Sequence, residues 1–301
     1  MNTGTLALLS ALALLALWYV WRWFTFESPL QRKRELNPAV ASRRPGLSDA
    51  LIGSVTNFFD TLGIGSFATT TAIFKFQRRV ADEDIPGTLN VGHALPTVTQ
   101  AFIFIAAVTV DLITLVSMIA ASVAGAWLGA GIVSRLPRRA IQLAMGMALL
   151  IAALLLLAAN LDWMPGGGDA LGLSGGVLAF AVGVSFVLGA LMMLGIGLYA
   201  PCLILVSLLG MNPLAAFPIM MGACAFLMPV GGASFIRSRR YKLRAALGLA
   251  LGGIPSVLIA AYLVKSLPIA WLRWLVVGIV LYAAVLMLLS AFPRIKRSSN
   301  P

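Results

Sequence analysis

Long apolar stretches recur along almost the whole chain, and this pattern constrains the fold more than any other feature. A helix needs about 20 apolar residues to cross the hydrocarbon core of a bilayer. Charged residues make up only 11% of the 301 positions, whereas soluble domains carry about a quarter. Membrane β-barrels require short alternating strands with a polar lumen face, and the sequence lacks them. The chain is therefore predicted to be an all-α polytopic integral membrane protein.

Residues 1–24 are predicted to form an extra N-terminal transmembrane helix. Residues 3–20 are rich in leucine and alanine, and the first basic residue, Arg22, follows them. A secretory signal has its basic residues before the apolar stretch and a small-residue cleavage site after it, so the pattern favours an uncleaved span. Trp18 and its aromatic neighbours are typical of an interfacial belt. We expect the N-terminus to lie outside the cell.

The basic residues give a net charge of +12 and occur in five short clusters between apolar stretches. By the positive-inside rule, all five clusters are predicted to face the cytoplasm, as is the C-terminus. The positive charge is thus attributed to topology and to contacts with anionic lipid headgroups, and no nucleic acid partner is predicted. The clusters lie at 22–44, 75–79, 135–139, 237–244 and 294–297, and only Lys265 and Arg273 fall outside them.

Two stretches must leave one side of the membrane and return to it. Residues 48–74 connect two basic clusters and are interrupted by Leu-Gly-Ile-Gly at 62–65. Residues 174–210 begin and end on the outer side, and the same tetrapeptide interrupts them at 194–197. Glycine frees the backbone for a sharp turn between two helical legs. Each stretch is predicted to be a Gly-broken helix pair, which either crosses the membrane fully or is re-entrant.

Three ordinary spans are predicted to follow each broken pair. Each half then crosses the membrane an odd number of times, so the two halves have opposite orientation. The fold predicted from this is an inverted-topology repeat of two halves, each with a Gly-broken helix pair plus three spans. The ordinary spans are 87–108, 112–134 and 139–159 in the first half and 213–235, 245–264 and 269–291 in the second.

Proline landmarks recur in the two halves in the same order and support the repeat. Pro86 and Pro213 open the first ordinary span of each half, and Pro137 and Pro268 lie in the last interhelical turn. The predicted organisation is an N-terminal helix (1–24), a basic cytoplasmic linker (25–47), a first repeat (48–160), an outside loop (161–173), a second repeat (174–292) and a cytoplasmic tail (293–301).

Inverted repeats with discontinuous helices typically form secondary transporters, with the substrate site at the midplane between the halves. An interrupted helix leaves backbone N–H groups that need a partner, and helix N-termini favour anions. No Lys or Arg lies at mid-membrane depth in any predicted span. We therefore expect a small anionic substrate, held by backbone dipoles and hydroxyls and moved by alternating access.

The Gly-broken pair in each half, the Gly-Ile-Gly turns and the Arg-Leu-Pro loop at 135–137 resemble the TauE/SafE family of sulfite exporters. The likeness is expected over about residues 48–292, with the N-terminal helix and its linker as an addition. The resemblance implies a permease of the cytoplasmic (inner) membrane for small sulfur-containing anions, such as sulfite or organosulfonates.

Polar residues around the two glycine turns are predicted to line the substrate path, because polar groups at membrane depth are otherwise costly. The alternative is that the hydroxyls bond to helix carbonyls and the glycines allow close packing. The candidate substrate-binding residues are Asn57, Thr61, Gly63, Gly65, Ser66, Thr69, Thr70, Asn90, Thr97, Gly195, Gly197, Tyr199 and Pro201.

Asp60 and His93 are predicted to carry a coupling proton. Asp60 lies near the tip of the first broken pair, where a carboxylate is expensive, and the alternative is a helix cap. His93 is the single histidine; its titration range suits proton coupling, and the alternative is a satisfied interhelical hydrogen bond. Cys202 and Cys224 lie in apolar segments and are interpreted as packing residues. Neither a metal site nor a cofactor is predicted.

Two other functions stay open as alternatives, namely a passive anion channel and a membrane scaffold or assembly protein without transport. An enzyme is not predicted, because the chain offers one histidine and almost no intramembrane carboxylate pairs. The direction of flux, the coupling ion and the oligomeric state are likewise left open by the sequence.

Overall fold

A computed structural model of the chain describes residues 3–34, 46–163 and 168–263, together with the helical positions 281, 285, 288 and 289. These residues are mostly helical, with no β-strand among them and one isolated bridge between Ala170 and Met211. Six of the described helical segments are long and apolar enough to cross a membrane. The prediction of an all-α polytopic membrane protein is confirmed.

The described part of the chain forms a run of α-helices with two short 3₁₀ segments. The 3₁₀ segments, Asp82–Asp84 and Pro213–Ala215, lead directly into α4 and α10. The helices are α1 (Thr3–Arg34), α2 (Leu47–Thr61), α3 (Ser66–Gln77), α4 (Ile85–Gly92), α5 (Ala94–Ala107), α6 (Leu112–Val133), α7 (Arg138–Asn160), α8 (Gly175–Met192), α9 (Tyr199–Leu208), α10 (Ala216–Ser238) and α11 (Leu243–Leu263).

Helix α1 continues to Arg34, past residue 24, where the N-terminal span was predicted to end. The first part of the predicted linker is therefore helical. Leu12 and Tyr19 of α1 are fully buried, and the Tyr19 hydroxyl donates to the Val91 carbonyl at 3.1 Å. Residues 35–45 of the linker, nearly all of the predicted last span and the predicted tail lie outside the described residues.

The predicted span at 87–108 is present but interrupted. Helix α4 ends at Gly92 and α5 begins at Ala94, with His93 between them. Pro96 lacks an N–H, so the Gly92 carbonyl cannot receive its usual helical hydrogen bond, and the proline ring crowds the same carbonyl. The break places His93 in the protein interior, where it is fully buried.

The first leg of each broken pair packs on a helix from the other half of the chain. Helix α2 packs along α11, and α8 packs along α6. A Cβ added to Gly252 would meet the backbone of α2, and one added to Gly189 would meet the Ser122 carbonyl of α6. Small residues let membrane helices approach closely. Serine hydroxyls also bond across each crossing. Ser54 donates to the Gly252 carbonyl at 2.9 Å and Ser256 donates to the Ser54 carbonyl, while Ser122 donates to the Ser185 carbonyl at 3.2 Å.

Basic side chains meet at one end of the helices. Asp49 forms ion pairs with Arg79 at 2.5 Å and with Arg244 at 3.0 Å, which joins α2, the end of α3 and the start of α11. The Arg240 guanidinium donates to the Leu136 carbonyl at 3.3 Å. The second, third and fourth basic clusters therefore lie together, as the topology prediction requires.

The opposite end is held by main-chain hydrogen bonds. The Asp111 N–H donates to the Leu171 carbonyl at 2.8 Å, and the Asn212 N–H donates to the Ala170 carbonyl at 2.8 Å. The connection before α8 thus joins the start of α6 to the segment that leads into α10. The predicted outside connections are together at this end.

Replacing Gly189 by valine should weaken the crossing of α8 on α6. The added side chain would collide with the Ser122 backbone, and overpacking of this kind costs about 1–3 kcal/mol. Gly183→Val is the matched control in the same helix, because a Cβ there meets no atom within 4 Å. We expect a lower thermal unfolding midpoint in detergent for Gly189→Val alone. Equal midpoints for the two variants would contradict the close crossing.

Candidate substrate site

The two predicted glycine turns break their helices. Gly63 and Gly65 have φ angles of 85° and 87°, and Gly195 has a φ angle of 89°. Residues with a side chain rarely adopt this region, so these turns require glycine. Helices α2 and α3 are therefore separate legs, and α8 and α9 are separated in the same way.

Both broken pairs line one small buried cavity. The starts of α3 and α9 reach it from the two halves, and α5 and α10 contribute its other walls. The centre of a water molecule can occupy about 10 Å³ of this cavity. The cavity therefore has room for about one water. Its polar lining consists of Asp60, Ser66, Thr97 and Tyr199, with Gly65 and Gly197 beside them.

Three buried side chains form a hydrogen-bonded chain between the halves beside this cavity. The Gln100 amide donates to the Asp60 carboxylate at 2.9 Å and to the Thr61 hydroxyl at 3.0 Å. The Tyr199 hydroxyl donates to the Gln100 side-chain oxygen at 2.7 Å. An ionised carboxylate only accepts hydrogen bonds, so the Gln100 nitrogen must face Asp60 and its oxygen must face Tyr199.

The other carboxylate oxygen of Asp60 caps the start of α3. The Ser66 N–H donates to Asp60 Oδ1 at 2.5 Å. Asp60 is 2% exposed, and within the described ranges it forms no ion pair. Burying a carboxylate without a cation costs far more than burying a neutral polar group. The positive end of the α3 dipole compensates part of this cost, and a proton or a bound cation would remove the rest.

His93 joins three helical segments through both of its ring nitrogens. Nδ1 lies 2.9 Å from Asn57 Oδ1, and Nε2 lies 3.0 Å from the Thr70 hydroxyl. The Asn57 amide nitrogen donates to the Gly53 carbonyl at 2.8 Å, so Oδ1 is the acceptor for His93. The neutral ring therefore carries its proton on Nδ1 and accepts from Thr70 at Nε2. This geometry fits an interhelical junction.

Asn90 is a buried polar side chain that is only partly satisfied. Its amide nitrogen donates to the Pro86 carbonyl at 2.9 Å and reaches the Met192 carbonyl, at the end of α8, at 3.4 Å. Its Oδ1 atom has no hydrogen-bond partner in the described structure. A buried acceptor without a donor is costly, so this oxygen is a place where a water or a ligand can donate.

The remaining predicted residues surround the cavity without lining it. Asn57, Thr70 and His93 form the junction, and Thr61 contacts Gln100. The Thr69 hydroxyl bonds back to the Ser66 carbonyl, Gly63 lies against Phe217, Gly195 lies against Met145, and Pro201 occupies the first turn of α9. In that turn the missing N–H of proline loses no helical bond, so Pro201 starts the return leg and does not break it.

Gln100, which lies beside the cavity, and the apolar lining were not among the predicted site residues. The spacing of Asn90, His93, Thr97 and Gln100 at three or four residues was a visible sign that they share a helical face. The apolar lining carries no such sign, because it resembles ordinary core sequence. It consists of Phe67, Met192, Leu198, Cys224 and Met228.

Cys202 and Cys224 are both free and buried, and Cys224 lines the cavity. Its Sγ atom donates to Met192 Sδ at 3.5 Å. In the part of the chain that the structure describes, no three His, Cys, Asp or Glu side chains are grouped so that they could hold a metal ion. The lining contains no Lys or Arg, so the polar groups that a solute meets there are hydroxyls, one carboxyl and the backbone at two helix starts.

Apolar spans, two helix breaks and a buried cavity between them, with a carboxyl and hydroxyls in its lining, are typical of multi-pass membrane proteins of the transporter class. The chain belongs to the sulfite exporter TauE/SafE family, whose model matches residues 2–156, just over half of the sequence. The family consists of transporters, so the chain is a membrane transporter of a small anion. No curated protein and no solved structure matches it.

The matched residues start before α1 and end within α7. The N-terminal helix was expected to be an addition to the family's layout, and the likeness was expected to start near residue 48. That expectation was wrong, because the family model includes α1. The burial of Tyr19 against the Val91 carbonyl agrees with α1 being an integral part of the fold.

Replacing His93 by alanine should destabilise the protein. The change removes both hydrogen bonds of the junction and leaves Asn57 Oδ1 buried without this donor, which costs about 2–4 kcal/mol in total. Thr99→Val in the neighbouring helix is the control, since the Thr99 hydroxyl bonds only to its own helix, at the Leu95 carbonyl. Thermal unfolding in detergent measures both. An unchanged midpoint for His93→Ala would show that the junction contributes no stability.

Proposed function

We propose that this chain is a secondary transporter that moves small sulfur-containing anions, such as sulfite or organosulfonates, across the cytoplasmic membrane by alternating access. The observation that carries the proposal is the cavity lined by both broken pairs, with a buried carboxyl in its lining. Family membership supports the class of substrate. In the proposed topology the N-terminus lies outside and the basic end of the helices is cytoplasmic.

The cavity supports recognition of an oxyanion without a fixed cation. The starts of α3 and α9 point N–H groups and partial positive charge towards it. The hydroxyls of Ser66 and Tyr199 lie in the lining, one from each half. To donate to a bound anion, the Tyr199 hydroxyl would have to exchange its hydrogen bond to Gln100 for one to the anion. Binding by dipoles and hydroxyls is weaker than an ion pair with arginine, so it favours release on the far side.

Asp60 is the residue proposed to couple a proton to this movement. An ionised Asp60 repels an anion in the cavity, whereas a protonated Asp60 carries no charge and can donate a hydrogen bond to an oxyanion. Proton and anion then enter the cavity together and leave it together. His93 is assigned a positioning role in this scheme, because fixed side chains occupy both of its ring nitrogens.

The size of the cavity favours alternating access over a passive channel. Room for about one water is too small for an oxyanion of four or more heavy atoms. Binding therefore requires the broken pairs to move relative to the helices that pack on them. We propose that the two halves, 48–160 and 174–292, are inverted repeats and that this movement exposes the cavity to each side in turn.

Asp60→Asn should abolish proton-driven transport. Purified protein in proteoliposomes is expected to move sulfite, and an imposed pH gradient should increase the flux of the native chain. In Asp60→Asn we expect this stimulation to fall at least tenfold. Asp111→Asn is the control, because Asp111 caps α6 at the opposite end of the fold and asparagine caps nearly as well.

The two parts of the proposal fail in different ways in this assay. Stimulation by the pH gradient that persists in Asp60→Asn would exclude Asp60 as the coupling residue and leave transport in place. A native chain that moves none of sulfite, sulfate, thiosulfate and two-carbon sulfonates would exclude the proposed substrate class.

Asp49→Asn should make the cavity more accessible from the basic end. The change removes the charge that holds Arg79 and Arg244 together across the two halves. Cys224 reports access, because it lines the cavity. In a Cys202→Ser background we expect a water-soluble maleimide to label Cys224 at least threefold faster in Asp49→Asn. Asp162→Asn is the control, since Asp162 is exposed in the connection after α7. Equal labelling rates would show that these ion pairs do not close the path.

A further inference from the structure

A second open space lies on the surface between the ends of α6 and α10, apart from the buried cavity. It is a groove of about 1040 Å³ at the end of the helices where the basic clusters meet. Arg135 and Arg237 line it, and both side chains are exposed. Within the described ranges neither guanidinium forms an ion pair, and no acidic residue lines the groove.

The electrostatic balance of the groove is positive. The C-terminal end of a helix carries roughly half a negative charge. Helices α6 and α10 both end here. Arg135 follows the last residue of α6 by two positions, and Arg237 lies in the last turn of α10. The two guanidinium groups carry two full positive charges, which exceed the two partial negative charges of the helix ends. A net positive charge therefore remains in the groove after the helix dipoles are compensated.

The wall of the groove is apolar on the side that runs back along α6. Trp127, Leu128 and Ile132 line it and are 64%, 50% and 63% exposed. Trp127 precedes Arg135 by about two helical turns, or roughly 12 Å along the axis. Helix α6 is long and apolar enough to cross a membrane. In that placement this wall would face hydrocarbon and the arginines would lie at the level of the headgroups.

We propose that this groove binds a phospholipid with a negatively charged headgroup, with its phosphate on Arg135 and Arg237 and an acyl chain along Trp127 and Ile132. A freely dissolved anion would use the arginines and gain nothing from the apolar wall. A zwitterionic phospholipid would use the wall, but its own positive charge would lie beside two arginines. An anionic phospholipid matches both parts of the groove.

Native mass spectrometry of the full chain, with added cardiolipin, phosphatidylglycerol or phosphatidylcholine, tests the charged part. Each arginine should contribute about fivefold to the affinity for an anionic lipid, so Arg135→Gln with Arg237→Gln should lower it roughly 25-fold. Arg78→Gln is the control, because Arg78 is equally basic and exposed but does not line the groove. Unchanged retention in the double variant, or equal retention of phosphatidylcholine by the native chain, would overturn the proposal.

Brominated acyl chains test the apolar part, since bromine quenches nearby tryptophan fluorescence. The signal of Trp127 is the difference between the native chain and Trp127→Phe. We expect brominated phosphatidylglycerol to quench this difference signal at least twofold more than brominated phosphatidylcholine. Equal quenching by the two lipids would overturn the proposal. It would also be overturned if inorganic phosphate, added at the same concentration as the lipid, displaced the bound lipid.

Discussion

The fold depends on how the backbone groups freed at two helix breaks are satisfied inside a membrane. Hydrocarbon supplies no partner for an open N–H or carbonyl, so a break survives only where the protein or a cavity supplies one. Both turns make the same main-chain bond, from the Gly63 N–H to the Asp60 carbonyl and from the Gly195 N–H to the Met192 carbonyl. They differ in the side chain at that position. In the first turn the Asp60 carboxylate also accepts from the Ser66 N–H, whereas the second turn has Met192 where the first half has its acid.

This asymmetry explains why the polar chemistry of the cavity comes mainly from one half. Helices α2 and α3 supply Asp60 and Ser66, whereas α8 supplies only the Met192 side chain. Tyr199 restores a link between the halves, because its hydroxyl reaches Gln100 and through it Asp60. A change in the protonation of Asp60 therefore alters a hydrogen-bonded chain that crosses from one half to the other. Coupling between the halves needs such a shared element.

The helix breaks could be predicted from the sequence because their cause is local. Only glycine readily adopts the φ angles found at Gly63 and Gly195, so the residue type itself indicates a turn. The interruption at His93 has an equally local cause in Pro96, but one proline within an apolar stretch often produces only a kink. The role of Gln100 could not be predicted, since it depends on Asp60 and Tyr199 arriving from two different broken pairs.

The two ends of the fold are closed by interactions that differ in how easily they reopen. At one end, the Asp49 carboxylate holds two arginine side chains, and these can separate without disturbing any helix. At the other, the main chain at Asp111 and Asn212 is bonded to the connection before α8. Opening there requires that connection to move as a unit, because its carbonyls need new partners. Each of these cross-links at the basic end uses at least one side chain, including the Thr88 hydroxyl that accepts from the Lys242 N–H. The basic end should therefore open with less displacement of backbone than the opposite end.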